Sequence, residues 1–550
     1  INRKVQKIGT RLNVVQPSPC LILKMESFES ADTVPKRLRY WAKQQPDREA
    51  IVFVSRNKPR ATLTSREIYD RSMKFGNHLA LIGFKPGRVV CSFIPDSPEG
   101  LVAFFGIICA GGIVQNSTIH VADGTYLLNN LHKSKCQAVI LSSDPDNQAN
   151  QILSRHFDSV SGNRVISSKL PHLKYVIYTG SNTLPGDLGF VWQDQVESTE
   201  RVEELSIKAD DGVVIVISSG TTGISKLILY SHRNLKYLGD MIFSDINEPE
   251  ISILDPHPFN WAWGLPVWYL KTDIIMQEKC RVAKLSAATA LRLMHINQTD
   301  SITYPKWPLE IAYITGQPLK KNVLSIIDTL TKTVINTYGM SEIGVVSAKI
   351  ITKYSGFEDF DAGFLKKGVT VKIVDDNMDE VHTRQYGHIL VKSPSVFKGY
   401  VGEEDKTSSA FTEDGWFLTN DYGCLCENGE MIVQGRFNDV IMRGENYFHP
   451  SWIENIIRGC SGVVDVLVVK VPDEELFNEI CACFLPKPNS NITPDNVNEF
   501  CKKQFVNHNS NDKTACPKYY LKFDSFPLNR NGKTDKKAVE EKAAKLLQLI

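Results

Sequence analysis

Residues 213–232 read VVIVISSGTTGISKLILYSH. Ser218, Ser219, Gly220, Thr221, Thr222 and Gly223 gather small and hydroxylated residues behind an apolar run, and Lys226 follows them. Glycines let a backbone approach a ligand closely, free N–H groups in such a turn bind anions, and Ser and Thr hydroxyls add donors. A polyphosphate is the natural guest, with Lys226 as a point charge for it. The stretch is not a Walker A loop, because G-x-x-x-x-G-K-[ST] is absent and Gly220, Gly223 and Lys226 stand at three-residue spacing. Taken alone, the pattern reads equally well as a Ser/Gly turn after a core strand.

Such a loop has to be held by regular elements. The Val- and Ile-rich residues before it predict a buried strand. Upstream, RVVCSFIPDS predicts a strand and turn, PEGLVAFFGIICAGG a buried helix ending on Gly111 and Gly112, and AVILSSD another strand. Strands alternating with helices make an α/β architecture, whose polar strand ends are where ligands bind. After residue 365, VTVKIVDD, HILVKSPSVFKGY and GEMIVQGR predict β-ribbons. After GRFND comes a compact α+β tail, with a helix near 450–459 and the strands VDVLVVKV and ICACFLPK. The expected organisation is an extension over 1–24, a large α/β domain with a β-ribbon or barrel portion over 25–437, and a small mobile α+β domain over 438–550.

Composition narrows the partners. With 550 residues the chain is too long for one compact core. Its formal net charge of +1 gives no electrostatic reason to bind nucleic acid or an anionic membrane. No apolar run reaches the roughly 18 to 20 residues that span a bilayer. The twelve cysteines are scattered and read as reduced core residues, which favours an intracellular, cytoplasmic protein. Residues before Glu26 include no acid, a presequence-like trait that makes a mitochondrial location the alternative, although Met25 reads as a natural start. The final AAKLLQLI carries no S-K-L peroxisomal address.

Five stretches then occur in one order: ISSGTTGISK, NTYGMSE at 336–342, GWFLTND at 415–421, GRFNDVIMRGENYFHPSWIE at 435–454, and PLNRNGK at 527–533. Their order and spacing resemble the adenylate-forming superfamily of acyl-CoA synthetases, peptide-synthetase adenylation domains and beetle luciferase, closest to the first. The resemblance implies that a carboxylate attacks the α-phosphate of ATP, with Mg²⁺ and positive groups converging where the two anions meet. It implies that Thr221, Thr222, Gly223 and Lys226 hold the β- and γ-phosphates, with Ser219 and Gly220 in the same ATP-binding loop. On the same resemblance Tyr338 and Gly316 would flank adenine, Ser341 would bond the α-phosphate, and Glu342 would position Mg²⁺. Asp421 and Arg436 match the residues that grip the ribose, and Lys533 matches the lysine that bridges carboxylate and α-phosphate.

The chain also departs from the family pattern. Ser225 and Leu227 replace the usual Pro and Gly around Lys226, Asn420 a usual Gly, and His388 and Trp452 residues commonly Glu. Asn438 holds the hinge position, where Asp or Lys is usual. The stretch PHPFNWAWGLPVW matches the acyl-pocket segment, and Phe259, Trp261 and Trp263 favour an apolar fatty or aryl acid. In thioester-forming members the small domain rotates after the first step, and a glycine leaves room for the pantetheine of CoA. Counting back from Pro450, Glu445 holds that position, whereas a one-residue slip gives it to Gly444. The resemblance therefore implies an AMP-forming acid–thiol ligase using ATP, Mg²⁺ and CoA on a small carboxylic acid. A luciferase-like oxygenase and a catalytically inactive nucleotide-binding relative are the alternatives.

Overall fold

The computed structural model describes residues 31–55, 58–94, 97–116, 124–142, 147–179, 205–218, 226–242, 253–254, 280–285, 290, 309–316, 319, 321–327, 329–352, 357–358, 360–436, 441–443, 446–448, 450–473, 476–488, 490–507, 515–528 and 534–549. Five sheets run through these residues: two large ones of nine and ten strands, one of three strands and two of two strands each. In the first, Gly212–Ser218, Ile113–Asn116, Val89–Ser92, Ala138–Ser142 and Tyr175–Thr179 lie side by side and parallel. Apolar residues on both faces explain their near-continuous hydrophobic sequences. Val90 and Ile140 join the helices Ser65–Leu81 and Pro98–Cys109 on one face, whereas Cys91 and Leu141 join Leu127, Leu131 and Leu153 on the other.

These two helices have well-defined starts. The Thr64 hydroxyl accepts from the Glu67 N–H while the Glu67 carboxylate accepts from the Thr64 N–H, and the Ser97 hydroxyl accepts from the Gly100 N–H. They meet where both lack side chains. A Cβ on Gly76 would lie 2.9 Å from the Gly106 carbonyl oxygen, and one on Gly106 would lie 2.5 Å from the Phe75 ring.

Lys226–Ser231 turns back antiparallel on Gly212–Ser218, with Lys226 opposite Ser218. This register keeps Lys226 at the edge where the parallel strands end. In the second sheet, Ile253–Leu254, Val282–Leu285, Ile311–Thr315 and Thr333–Met340 are parallel. Gly344–Ile351, Asp361–Leu365, Glu430–Arg436, Phe417–Leu425, Gly387–Lys392 and Thr370–Val374 then continue the same sheet antiparallel. The ribbons expected after residue 365 are thus extensions of this sheet.

The C-terminal part has its own core. Val463–Asp473 and Phe477–Pro486 are antiparallel, and Tyr519–Lys522 runs parallel to the latter. Helices Pro450–Arg458 and Pro494–Asn507 cover one face, and Lys536–Leu546 covers the other. Strand alternation sends Ile480 and Ala482 to the first face and Cys481 and Cys483 to the second. The described cysteines are free thiols, and no described helix is long and apolar enough to cross a membrane. Residues 1–24 lie outside the described residues.

His232, at the start of the helix His232–Ile242, is buried, and its Nδ1 accepts the Val34 N–H at 3.1 Å. Burial pushes its pKa down from 6.5 to about 4, with Asp211 and Asp32 acting weakly in the opposite sense. The folded ring is therefore neutral where the unfolded one begins to charge. This contribution is complete above the unfolded pKa and is lost as pH falls from 6.5 towards 4, a difference of up to about 3 kcal/mol. Thermal unfolding should move to lower temperature across that window, and His232→Asn, which keeps an acceptor for Val34, should flatten the dependence. Equal slopes for the two proteins would overturn this account.

Candidate active site

The turn carrying Ser341 and Glu342 joins Thr333–Met340 to Gly344–Ile351. It is tight: a Cβ on Gly339 would lie 2.1 Å from the Gly344 carbonyl oxygen, and Gly344 has φ +72°. Its carbonyls are taken by several elements. Met340 O accepts the Ile343 N–H, Ser341 O the Tyr230 hydroxyl, Glu342 O the Phe397 N–H and Ile343 O the Ser395 hydroxyl. Asn234 steadies the neighbouring segment by donating to Pro394 O at 3.1 Å and Val396 O at 2.8 Å. Tyr230 and Asn234 lie just beyond Lys226 in the chain, so the Lys226 strand and the Glu342 turn are bolted together.

Glu342 is 5% exposed and its carboxylate is engaged. Tyr400 donates to Oε1 at 2.9 Å, and Lys226 Nζ lies 3.7 Å from the same oxygen. Lys226 also donates to the Tyr400 hydroxyl at 3.2 Å and stands 4.7 Å from its ring centroid, a cation–π contact. Gly399–Tyr400 pairs with the Lys226 strand, Tyr400 opposite Ile228, which fixes this geometry. Burial and the Glu342 charge push the Tyr400 phenol far up, so it remains a protonated donor. Glu342 is a hard oxygen ligand with its second oxygen uncommitted to Tyr400 or Lys226, which fits Mg²⁺, an ion that commonly takes one or two carboxylates together with phosphate oxygens and water.

A second group forms four residues earlier on the same segment. The Tyr338 hydroxyl donates to Asp421 Oδ2 at 2.6 Å, and Arg436 Nε lies 2.8 Å from Asp421 Oδ1. Asp421 and Arg436 are directly opposite on paired strands. Thr419 accepts the Asp421 N–H at 3.0 Å and donates to Ile389 O at 2.7 Å, and its carbonyl accepts from Arg436. Burial and the Asp421 charge raise the Tyr338 pKa well above 10. A carboxylate has about four acceptor positions and can accept from hydroxyl as well as guanidinium donors, as Asp421 does here. Thr315 lies opposite Thr337, which brings Gly316, with φ +85° and exposed, to the end of the strand beside Tyr338.

The structure therefore brings Lys226 and Glu342 together at one end of residues 338–342, and Tyr338, Asp421 and Arg436 together at the other. Ser219, Gly220, Thr221, Thr222, Gly223, Phe259, Trp261, Trp263, Asn438, Gly444, Glu445 and Lys533 lie outside the described residues. Sequence reasoning missed Tyr400, Tyr230, Thr419 and Asn234. FKGYVG around Tyr400 was an available signal, although nothing in it points to a lysine 174 positions away.

An AMP-binding enzyme family model matches residues 38–401, and the model of its C-terminal domain matches residues 452–533. The chain belongs to the AMP-binding enzyme family. It lies near the acyl-CoA synthetases of the adenylate-forming superfamily. YngI of Bacillus subtilis, which carries an acyl-CoA synthetase name, is 26% identical over 94% of this chain and 98% of its own length. The mitochondrial medium-chain acyl-CoA ligase ACSF2 of Danio rerio is 25% identical over 94% of this chain and 89% of its own. In fold, this AMP-binding enzyme is similar to ATP-bound MatB from Rhodopseudomonas palustris, with a TM-score of 0.74 and 21% identity over 88% of this chain and 94% of that one.

Tyr400→Phe keeps the ring beneath Lys226 and removes the hydroxyl between Lys226 and Glu342. A hydrogen bond to a charged group contributes about 1.5–3 kcal/mol, so pyrophosphate release should slow by about tenfold or more. Steady-state pyrophosphate release measures this; an unchanged rate would exclude Tyr400 from positioning the carboxylate.

Proposed function

We propose that this enzyme activates an apolar carboxylic acid with ATP and transfers the acyl group to CoA. The observation that carries the reading is the pair of anchored carboxylates on either side of residues 338–342: Glu342 beside Lys226, suited to a metal–phosphate assembly, and Asp421 with Tyr338 and Arg436, suited to a ribose. In the first step a substrate carboxylate oxygen attacks the α-phosphorus and the bond to pyrophosphate breaks. Lys226, with Ser219, Gly220, Thr221, Thr222 and Gly223, balances charge on the leaving phosphates. Ser341 donates to an α-phosphate oxygen, and Lys533 bridges that phosphate and the carboxylate. Mg²⁺, when bound at Glu342, supplies further neutralisation of phosphate charge.

Tyr338 and Gly316 border adenine in this reading, while Phe259, Trp261 and Trp263 line the acyl pocket. The large domain ends near 437, Asn438 serves as the hinge, and the small domain brings either Gly444 or Glu445 to the CoA channel. The two sequence relatives compared above have names that specify acyl-CoA chemistry, which favours CoA over oxygen as the second reactant. We infer a cytoplasmic location, with a mitochondrial one as the alternative if residues 1–24 act as a presequence; the mitochondrial name of the ACSF2 relative supports keeping that alternative.

A panel of fatty and aryl acids assayed for ATP-dependent pyrophosphate release, with and without CoA, tests the whole reading. Release with no acid of the panel would refute it. Asp421→Ala leaves Tyr338 and Arg436 without their shared acceptor and should raise KM for ATP while lowering its preference over dATP. Unchanged selectivity would mean that ribose is held elsewhere. Lys533→Ala should slow adenylation by orders of magnitude while ATP binding, followed by calorimetry, stays nearly intact. Undiminished pyrophosphate release in that variant would remove Lys533 from the reaction.

A further inference from the structure

Tyr400 places its hydroxyl between Lys226 and Glu342, yet the strand that carries it, Gly399–Tyr400, is only two residues long and lies at the edge of the first sheet. The Lys398 N–H donates to Leu229 O and the Val401 N–H to Leu227 O, both at 2.8 Å. Three residue steps on this strand thus span two on its partner, which makes a bulge at Gly399, where φ is +148°. A bulge disrupts the ladder locally and re-aims a side chain. So short and irregular an edge needs a further anchor.

Thr407 supplies that anchor. The Tyr400 N–H lies between the two ladder bonds and is accepted by Thr407 Oγ1 at 2.8 Å. The Thr407 hydroxyl itself donates to Glu403 O at 3.0 Å, so its proton is directed away from Tyr400 and a lone pair is left for the N–H. The Glu403 N–H donates in turn to Tyr400 O at 3.2 Å. Both backbone polar groups of Tyr400 are therefore tied to one turn, which leads into the helix Glu404–Ser408. The Thr407 methyl covers the bulge, since a Cβ on Gly399 would lie 2.9 Å from Thr407 Cγ2. Beyond the helix, the Ala410 N–H donates to Thr407 O and the Leu418 N–H to Ala410 O, which attaches the turn to the second sheet.

The phenol oxygen is the atom of Tyr400 farthest from its backbone, so a small backbone rotation is enlarged where the hydroxyl meets Glu342 and Lys226. Hydrogen bonds weaken steeply as their angles degrade, and small misplacements at a reacting centre carry large rate costs. We propose that Thr407 is a positioning residue for adenylation: by holding the Tyr400 N–H at the bulge, it aims the Tyr400 hydroxyl at Glu342 and Lys226. This rests on the reading of the chain as an adenylating enzyme. In this role Thr407 acts through Tyr400 alone, which separates it from a residue that merely stabilises the fold.

Thr407→Val keeps the shape and the methyl but not the hydroxyl, Thr407→Ser keeps the hydroxyl, and Tyr400→Phe removes the group being aimed. Pyrophosphate release at saturating ATP, with an acid that the wild type accepts, is measured for the wild type, these three variants and the double variant Tyr400→Phe/Thr407→Val. Thr407→Val should slow release by about fivefold or more with KM for ATP within about twofold, whereas Thr407→Ser should keep the rate within about twofold. In the Tyr400→Phe background, Thr407→Val should cost less than about twofold, because the hydroxyl it would misdirect is already absent. Equal fold losses in both backgrounds would make Thr407 a structural residue only, and an unchanged rate in Thr407→Val would overturn the proposal outright. Thr407→Ala, which also lacks the hydroxyl and adds no bulk, runs the same cycle should Thr407→Val not fold. A wild type that releases no pyrophosphate with any acid would instead refute the adenylation reading, and the proposal with it.

Discussion

The site depends on keeping the Glu342 carboxylate buried and still usable. A carboxylate removed from water needs compensating partners. Tyr400 donates to one oxygen and Lys226 stands beside it, so the charge is compensated without a rigid two-point lock. The backbone is held much more firmly than the side chain. Carbonyls of Ser341, Glu342 and Ile343 accept from Tyr230, Phe397 and Ser395, which come from two other parts of the chain. A turn pinned in this way keeps its carboxylate directed at one place while leaving an oxygen for a metal or a phosphate-linked water.

The same turn couples two charged groups. Tyr338 and Glu342 are four positions apart, and each contacts a residue from a different sheet. Tyr338 reaches Asp421 on the adjoining ribbons, and Glu342 reaches Lys226 and Tyr400 on the first sheet. The distance between the Asp421 and Glu342 carboxylates is therefore set by a single short segment. A shift of the second sheet relative to the first would disturb the Glu342 contacts with Lys226 and Tyr400.

Much of the fold was legible because buried parallel strands leave continuous apolar runs, as at Val89–Ser92 and Ala138–Ser142, and because Gly111 follows a strongly apolar helix. The charged and hydroxylated residues of the site stood out by motif. Residues that hold those groups in place did not. Tyr400, Thr419 and Asn234 act through contacts set by sheet order, with Lys226 and Tyr400 separated by 174 positions and Asn234 and Val396 by 162. Local periodicity reports which face of an element is apolar, but it contains nothing about which distant element will lie against that face.

The departures from the family pattern have local physical explanations. Asn420, where a Gly is usual, has φ +57°, and Asn is among the few residues with a side chain that adopt this region readily. His388, where an acid is common, has its Nε2 2.9 Å from Asp376 and its ring edge-on to Tyr422. Trp452 packs edge-on to Phe505, with ring centroids 5.7 Å apart, beside the core of the small sheet. Each replacement has been fitted into backbone geometry or packing, while Lys226, Glu342, Asp421 and Arg436 keep their charges and mutual contacts. Relaxation of the site as a whole would leave buried Glu342 and Asp421 as uncompensated charges, whereas changes at positions 388, 420 and 452 can be absorbed by their immediate neighbours.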